Sequence, residues 1–198
     1  EPAALARWCE DWVTVAAGSW QQGRHVDAQE ALRHLGAEES KHPRGAILRG
    51  EMALAAKDDA QAIEQYQKAF AAGGEDFRAR IALATLLKGR EKLDEALVQA
   101  QAAEKAFPGY PEKELNAERL EAAILTSKGD TDAAMTAIER WLDCESGDFD
   151  GRFAAAAWHM AKGRPEKAAQ RLDEANQIDP FRRKLHEAWA DVLVACKR

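Results

Sequence analysis

Residues 57–70 read KDDAQAIEQYQKAF, and the alanine in the middle of this stretch, Ala62, recurs along the chain at a nearly constant interval. The equivalent alanines are separated by 34, 34, 38 and 34 residues and are Ala28, Ala62, Ala96, Ala134 and Ala168. Another small residue precedes each of them by twelve positions, and these are Ala16, Gly50, Ala84, Ala122 and Ala156. A period of this length is typical of stacked helical units, because each unit buries its apolar face against the next.

The composition favours helices throughout the chain. Ala, Glu, Leu, Lys, Gln and Arg dominate, and all of them form helices readily. In residues 57–70, Asp58 or Asp59 can cap a helix by accepting a backbone N–H, and Gly73 and Gly74 follow where the helix should end. The small residues allow two antiparallel helices to cross closely without the helix penalty of glycine at most positions. We therefore predict an all-α protein.

The stretch from Lys57 to Phe70 resembles the consensus of the tetratricopeptide repeat (TPR) family, whose unit is 34 residues long. The resemblance covers nearly the whole chain, although Arg49 and Glu121 replace the leucine usual in the first helix of a unit. It implies a right-handed superhelical solenoid of antiparallel helix pairs, with about five TPR units and one extra C-terminal helix. Within a single array over 1–198, the predicted repeats are 3–40, 43–76, 77–110, 111–147 and 149–181, and the terminal helix is 182–197.

The interval of 38 residues places four additional residues between Pro108 and Ala122. One interpretation is an extra helical turn that starts at Pro111, with Glu112 and Glu114 favourably placed at the positive end of the helix dipole. The other is a longer loop.

Charge and hydropathy exclude several classes of protein. The net charge is −6, which argues against binding to a nucleic-acid backbone. No apolar stretch reaches the length of a membrane span. The three cysteines, Cys9, Cys144 and Cys196, lie far apart in the array and are expected to be free thiols, which favours a reducing compartment such as the cytoplasm without identifying one. Because the sequence opens on Glu1 rather than Met, we expect it to be a piece of a longer protein.

No catalytic or metal-binding motif stands out. The sequence contains no phosphate-binding loop, no GxSxG or HExxH motif and no CxxC pair, and no histidine has another histidine or a cysteine three or four residues away. His159 is expected to be a hydrogen-bonded structural histidine. We therefore expect no enzyme activity, no cofactor and no metal.

The resemblance implies a concave groove lined by the first helix of each unit, which in this family commonly holds peptides. The corresponding candidates are Trp20, Arg44, Ile47, Glu51, Arg78, Ile81, Thr85, Lys88, Asn116, Arg119, Phe153 and Met160. Their basic members either form a stripe for an acidic segment or pair with neighbours such as Glu51. The family's carboxylate clamp for chaperone tails needs Lys and Asn at sites that here hold Val13, Ala17, Leu48, Arg78 and Ala82. Binding of chaperone tails is therefore not expected.

These features predict a non-catalytic interaction module that binds a peptide or protein segment in its groove and acts as a scaffold or adaptor. Two alternatives stay open. One is a helical targeting or regulatory appendage of a larger enzyme. The other is a scaffold that self-associates through its C-terminal helix, because Trp189, Leu193 and Val194 there lack a following helix to cover them.

Overall fold

The structure is a computed structural model that describes residues 2–35, 42–145 and 147–196. Within these ranges it contains eleven α-helices and no strand, which confirms the all-α prediction. The helices are α1 (Pro2–Gln21), α2 (His25–Arg33), α3 (Pro43–Ala55), α4 (Asp59–Ala71), α5 (Phe77–Gly89), α6 (Leu93–Ala106), α7 (Ala117–Ser127), α8 (Thr131–Leu142), α9 (Phe149–Ala161), α10 (Pro165–Ile178) and α11 (Arg183–Ala195).

Polar side chains define where four of these helices begin. The Asp58 carboxylate accepts the backbone N–H of Gln61 at 3.0 Å and so caps α4, which settles the choice between Asp58 and Asp59. Asp76, Asn116 and Asp130 cap α5, α7 and α8 in the same way. Pro165 lies in the first turn of α10, where its missing N–H costs no hydrogen bond.

The chain divides into two compact units, Glu1–Lys92 and Leu93–Arg198. In the first unit, α1 packs against α2 and α3 against α4. In the second, α6 packs against α7, α7 against α8, and α10 against both α9 and α11. The division into five repeats and a terminal helix, and the single array over 1–198, stay predictions.

The core of the first unit contains a close crossing between α3 and α4. A Cβ atom on Gly50 would lie 2.5 Å from a ring carbon of Tyr66, whose side chain is almost completely buried. No side chain larger than hydrogen fits there without displacing the ring. A second core cluster joins Val13 and Ala16 of α1 to Leu32 of α2 and Leu48 of α3.

Small residues also fill the contacts of the second unit. Ala122 and Leu125 of α7 pack with Ala134 and Ala137 of α8. A separate cluster joins α9, α10 and α11 through Phe149, Ala156, Ala168, Leu172, Ala175, Leu185 and Val192. The three cysteines form no disulfide, as expected from their spacing.

The extra helical turn that would start at Pro111 is wrong, because α7 begins only at Ala117 and the preceding residues form a loop. Side chains at the start of α7 stabilise this loop. The Asn116 amide donates to the carbonyl of Tyr110 at 2.9 Å, and the Glu118 carboxylate accepts the N–H of Gly109 at 2.6 Å. These hydrogen bonds satisfy two backbone groups of the loop.

None of the described helices is both long enough and apolar enough to cross a membrane.

Candidate functional site

Two of the groove candidates in the first unit are core residues. Ile47 and Ile81 are only 8% and 4% exposed, so they support α3 and α5 from within and offer no surface to a partner. Trp20 is half-buried, packs on the core cluster of α1 and α2, and meets the His25 ring edge-on with 4.5 Å between centroids.

The polar groove candidates of the first unit interact with their own chain. Arg44 is exposed and forms an ion pair with Glu10. Partial burial and the charge of Asp76 raise the pKa of Glu51, and the charge of Arg78 opposes this rise. Thr85 donates its hydroxyl to the carbonyl of Ile81 at 2.8 Å. Lys88, the last candidate of this unit, is half-buried near the end of α5.

The candidates in the second unit fall into two groups. Asn116 is 2% exposed and serves as the cap of α7, while Phe153 and Met160 are half-buried against the core of α9, α10 and α11. Arg119, by contrast, lines an open cleft. Asn116 is therefore a structural residue rather than a binding residue, because both ends of its amide are used inside the chain.

The cleft that contains Arg119 lies between α7 and α9 and has α8 as its floor. Its volume is about 280 Å³. The lining residues are Arg119, Ala122, Ala123, Thr126, Ile138, Trp141, Asp148 and Gly151. We call this surface the α7–α9 cleft. Its floor is apolar and its rim carries one cation and one anion.

Two contacts hold the guanidinium of Arg119 in place, and a third fixes its backbone. Its carbon atom lies 4.8 Å from the centre of the Trp141 ring, a cation–π arrangement. Its Nη1 donates to the carbonyl of Lys113 at 3.0 Å, and the backbone N–H of Arg119 donates to the Asn116 cap at 2.8 Å. The loop before α7 thus holds the Arg119 side chain in one position before a ligand binds. Binding therefore costs less side-chain entropy.

Gly151 keeps the opposite rim of the cleft open. A Cβ atom on Gly151 would lie 2.1 Å from a carboxylate oxygen of Asp148, so only glycine allows the observed position of this carboxylate. Asp148 precedes α9 but makes no capping hydrogen bond to it with its side chain. The carboxylate therefore contributes an acceptor to the cleft rather than to the helix.

A network of ionic hydrogen bonds around the buried side chain of Arg171 joins α8, α9 and α10, and it was not anticipated from the sequence. Arg171 of α10 donates to both carboxylate oxygens of Glu139 at 3.0 and 3.1 Å, to Asp143 at 2.8 Å and to Glu174 at 2.8 Å. Arg152 of α9 donates to the carbonyl of Leu142 at 3.0 Å and pairs with Glu174 at 3.2 Å.

His159 belongs to the same network and has the structural role expected of it. It is 2% exposed, and its Nε2 lies 3.2 Å from the second carboxylate oxygen of Glu139. Burial acts to lower the pKa of Arg171, but its hydrogen bonds with Glu139, Asp143 and Glu174 outweigh that effect and raise the pKa. No motif distinguishes these charges in the sequence, because helix surfaces carry many arginines and glutamates that stay in solvent.

A smaller network surrounds Glu121 at the α6–α7 contact. Glu121 is 5% exposed, accepts a hydrogen bond from the Gln101 amide at 2.9 Å and pairs with Arg140, which also binds Glu104. Burial raises the pKa of Glu121, and the hydrogen bond from Gln101 and the charge of Arg140 oppose this rise. The residue that departs from the consensus leucine is thus a buried, hydrogen-bonded carboxyl group.

Over the described ranges, no three histidine, cysteine, aspartate or glutamate side chains come together as ligands for a metal ion.

No family model and no curated protein sequence matches the chain. Several solved structures do match its fold. YrrB, described as a TPR protein with an unusual peptide-binding site, is 21% identical, with a TM-score of 0.66 over 94% of this chain and 91% of YrrB. MamA is 16% identical, with a TM-score of 0.59 over 89% of this chain and 97% of MamA. PilF of Pseudomonas aeruginosa is 14% identical, with a TM-score of 0.57 over 98% of this chain and 86% of PilF.

The fold is therefore that of the TPR proteins, the helical solenoids expected from the alanine spacing. At these low sequence identities, the similarity shows the fold of the chain alone.

Proposed function

We propose that this chain is a non-catalytic protein–protein interaction module that binds an extended peptide or protein segment and acts as a scaffold or adaptor. The α7–α9 cleft supports this proposal most directly, because it combines an apolar floor with a positioned cation and a carboxylate. Proteins of this fold, such as the peptide-binding YrrB, are typically interaction modules, which is consistent with the proposal.

The dimensions and polarity of the cleft fit one side chain and the adjoining backbone of a bound segment. Ala123 and Ile138 offer contact to an apolar side chain, and burying such a group against them contributes roughly 25 cal/mol per Å². The Arg119 guanidinium can donate to a peptide carbonyl, and the Asp148 carboxylate can accept from a peptide N–H. A peptide backbone offers both groups, so its dipoles match the two sides of the rim.

Two threonines provide a matched test of the cleft. Thr126 of α7 lines the cleft, whereas Thr136 of α8 is also exposed but lies outside it. Both hydroxyls donate to the carbonyl four residues earlier, at 2.8 and 2.9 Å, so the two side chains are bonded to their helices in the same way. The Thr126→Trp variant should fill the cleft, and Thr136→Trp should leave it open.

The probe is a peptide selected from a random display library on the immobilised chain, with its affinity measured by fluorescence anisotropy. We expect Thr126→Trp to weaken binding about tenfold or more, a loss of about 1.4 kcal/mol, and Thr136→Trp to leave it unchanged. Equal affinity of both variants would exclude the α7–α9 cleft as the binding site. A library that yields no binder would contradict the proposed function itself.

The exposed groove candidates of the first unit, Arg44, Glu51, Arg78 and Thr85, stay predictions of the same kind. Reversing Arg44, Arg78 and Arg119 to Glu should reduce binding of a peptide that carries acidic residues, because charge-assisted hydrogen bonds would be lost. Self-association through α11 also stays a prediction. The side chain of Val194, which is 78% exposed, is available for such a contact.

A further inference from the structure

A buried arginine directly follows Gly151 in the rim of the α7–α9 cleft. Arg152 of α9 is 6% exposed and is not one of the residues that line the cleft. A buried guanidinium needs acceptors for its N–H groups, because a buried donor without a partner is costly. The acceptors that Arg152 uses show what it does for the cleft.

The Arg152 guanidinium joins the end of one helix to the start of the next. Its Nη2 donates to the carbonyl of Leu142 at 3.0 Å, and its Nη1 donates more weakly to the carbonyl of Asp148 at 3.4 Å. Leu142 is the last residue of α8, and Asp148 directly precedes α9. The guanidinium therefore contacts both ends of the connection between these two helices.

Both contacts lie at residues that shape the cleft. Leu142 follows Trp141, which belongs to the floor and whose ring centre lies 4.8 Å from the guanidinium carbon of Arg119. Asp148 itself lines the opposite rim. The last carbonyls of a helix have no partner within it and carry partial negative charge. The cation at Leu142 therefore stabilises the turn of α8 that carries Trp141.

A carboxylate of α10 orients the Arg152 guanidinium. Its Nε lies 3.2 Å from a carboxylate oxygen of Glu174, and the same oxygen accepts a hydrogen bond from Arg171 at 2.8 Å. Glu174 is thus held by a second arginine and forms a fixed anchor for the first. Through one guanidinium, α10 is connected to the helix that forms the floor of the cleft and to the helix that forms one side of it.

We propose that Arg152 is a positioning residue for the α7–α9 cleft, which sets the separation of Trp141 from Asp148 without touching the bound segment. This inference rests on the proposed binding function of the cleft. A planar fork suits the task, because one group donates in fixed directions to two carbonyls and faces a carboxylate. A lysine ammonium carries the same charge on a single nitrogen and cannot reproduce these directions.

The first measurement needs no ligand. Because the Arg119 guanidinium lies over the Trp141 ring, the ring shifts its NMR signal, and that shift depends on the distance between them. We expect Arg152→Lys to move the Nε–Hε signal of Arg119 and the backbone N–H signal of Gly151. Unchanged positions of both signals would overturn the proposal.

Val192→Ala is the control for a general loss of stability. Val192 is 1% exposed and belongs to the core cluster of α9, α10 and α11, so the variant loses buried methyl groups there. It keeps all the contacts of Arg152, and we expect the Arg119 and Gly151 signals to stay in place. Equal movement of these signals in Val192→Ala and Arg152→Lys would show a purely structural role for Arg152.

The second measurement is the affinity of the peptide selected on the wild-type chain, at a temperature where circular dichroism shows every variant to be folded. Arg152→Lys should weaken binding about tenfold, because the floor and the rim no longer match the segment. Val192→Ala should bind as the wild type does. Wild-type affinity of Arg152→Lys would contradict a positioning role.

The two proposals can fail separately. If the library yields no peptide, the proposed function fails, while the NMR signals of Arg119 and Gly151 still decide whether Arg152 sets the geometry of the cleft. If Thr126→Trp weakens binding and Arg152→Lys does not, the cleft binds the segment and Arg152 does not position it.

Discussion

Gly50 of α3 illustrates how one atom sets the distance between two helices. The Tyr66 ring of α4 occupies the space where a side chain on Gly50 would lie, and Tyr66 is 1% exposed. Glycine destabilises the interior of a helix, but burial of the Tyr66 ring stabilises the protein by more than an alanine methyl group at position 50 would. Gly18 of α1 provides the contrast, since a Cβ atom on Gly18 would have no neighbouring atom within 4 Å.

Alanine at these two positions should change stability in opposite directions. Gly50→Ala should destabilise the protein by about 1–3 kcal/mol, because the methyl group forces the Tyr66 ring out of its site. Gly18→Ala should stabilise it by roughly 0.5–1 kcal/mol through helix propensity alone. Urea denaturation followed by circular dichroism measures both. A neutral Gly50→Ala variant would contradict the close α3–α4 crossing.

The buried carboxyl group of Glu121 makes stability depend on pH. Its pKa is raised in the folded protein, so the folded state binds more protons than the unfolded state above the usual carboxyl range. The free energy of unfolding that Glu121 contributes is therefore lost as the pH rises through its folded pKa.

Glu121→Gln should remove this dependence while keeping an acceptor for the Gln101 amide. As the pH rises from the ordinary carboxyl range through the raised pKa of Glu121, the stability of the variant relative to the wild type should rise. Urea titrations at several pH values give the comparison. Glu187→Gln is the control, because Glu187 is exposed and pairs along its own helix with Arg183. A constant difference between Glu121→Gln and the wild type would contradict the raised pKa.

At the scale of the helices, α8, α9 and α10 are joined by charges as well as by apolar packing. Arg171 satisfies three carboxylates, and its side chain is 8% exposed. Loss of Arg171 removes its charge-assisted hydrogen bonds to the three carboxylates, although Glu139 and Glu174 keep their contacts with His159 and Arg152.

Arg171→Met should therefore destabilise the second unit by about 1.5–3 kcal/mol, although methionine fills similar space. Arg183 also pairs with a carboxylate but is 91% exposed, so Arg183→Met should change stability by less than about 1 kcal/mol. Chemical denaturation of both variants measures the difference. Similar losses of stability for the two variants would show that the burial of Arg171 does not determine how much its ion pairs stabilise the protein.

At the scale of the whole molecule, helical repeats contact mainly their neighbours along the chain. Stability in such an architecture is approximately a sum of local terms and interfaces between neighbours. The two compact units, Glu1–Lys92 and Leu93–Arg198, contain separate core clusters.

Hydrogen exchange measured by mass spectrometry should resolve local effects of the two core variants. Arg171→Met should speed exchange in α8, α9 and α10 more than in α3 and α4, and Gly50→Ala should do the reverse. The wild-type chain under the same conditions is the reference. A uniform increase in exchange along the chain for either variant would indicate a single cooperative unit.

Features that depend on neighbours in the sequence were predictable. The alanine interval indicated the helix pairs and the TPR fold. Asp58 and the left-handed Gly73, with φ of 82°, lie at the start and the end of α4, where the sequence predicted that a helix begins and ends. Arg119, one of the groove candidates, lines the α7–α9 cleft. The sequence left an extra helical turn and a longer loop both open before α7, because it does not show that the side chains of Asn116 and Glu118 fold back onto the loop.

The sequence by itself determined the helical repeat, since periodic small residues admit close helix pairs whatever surrounds them. Only the tertiary structure decided which polar residues are surface charges and which are buried partners. It joined Asp148 and Gly151 to Arg119 around one cleft, buried Arg171 among three carboxylates, and directed Arg152 to the carbonyls of Leu142 and Asp148. The physical reason is that burial and charge pairing depend on distances between helices, and residue spacing along one helix does not specify these distances.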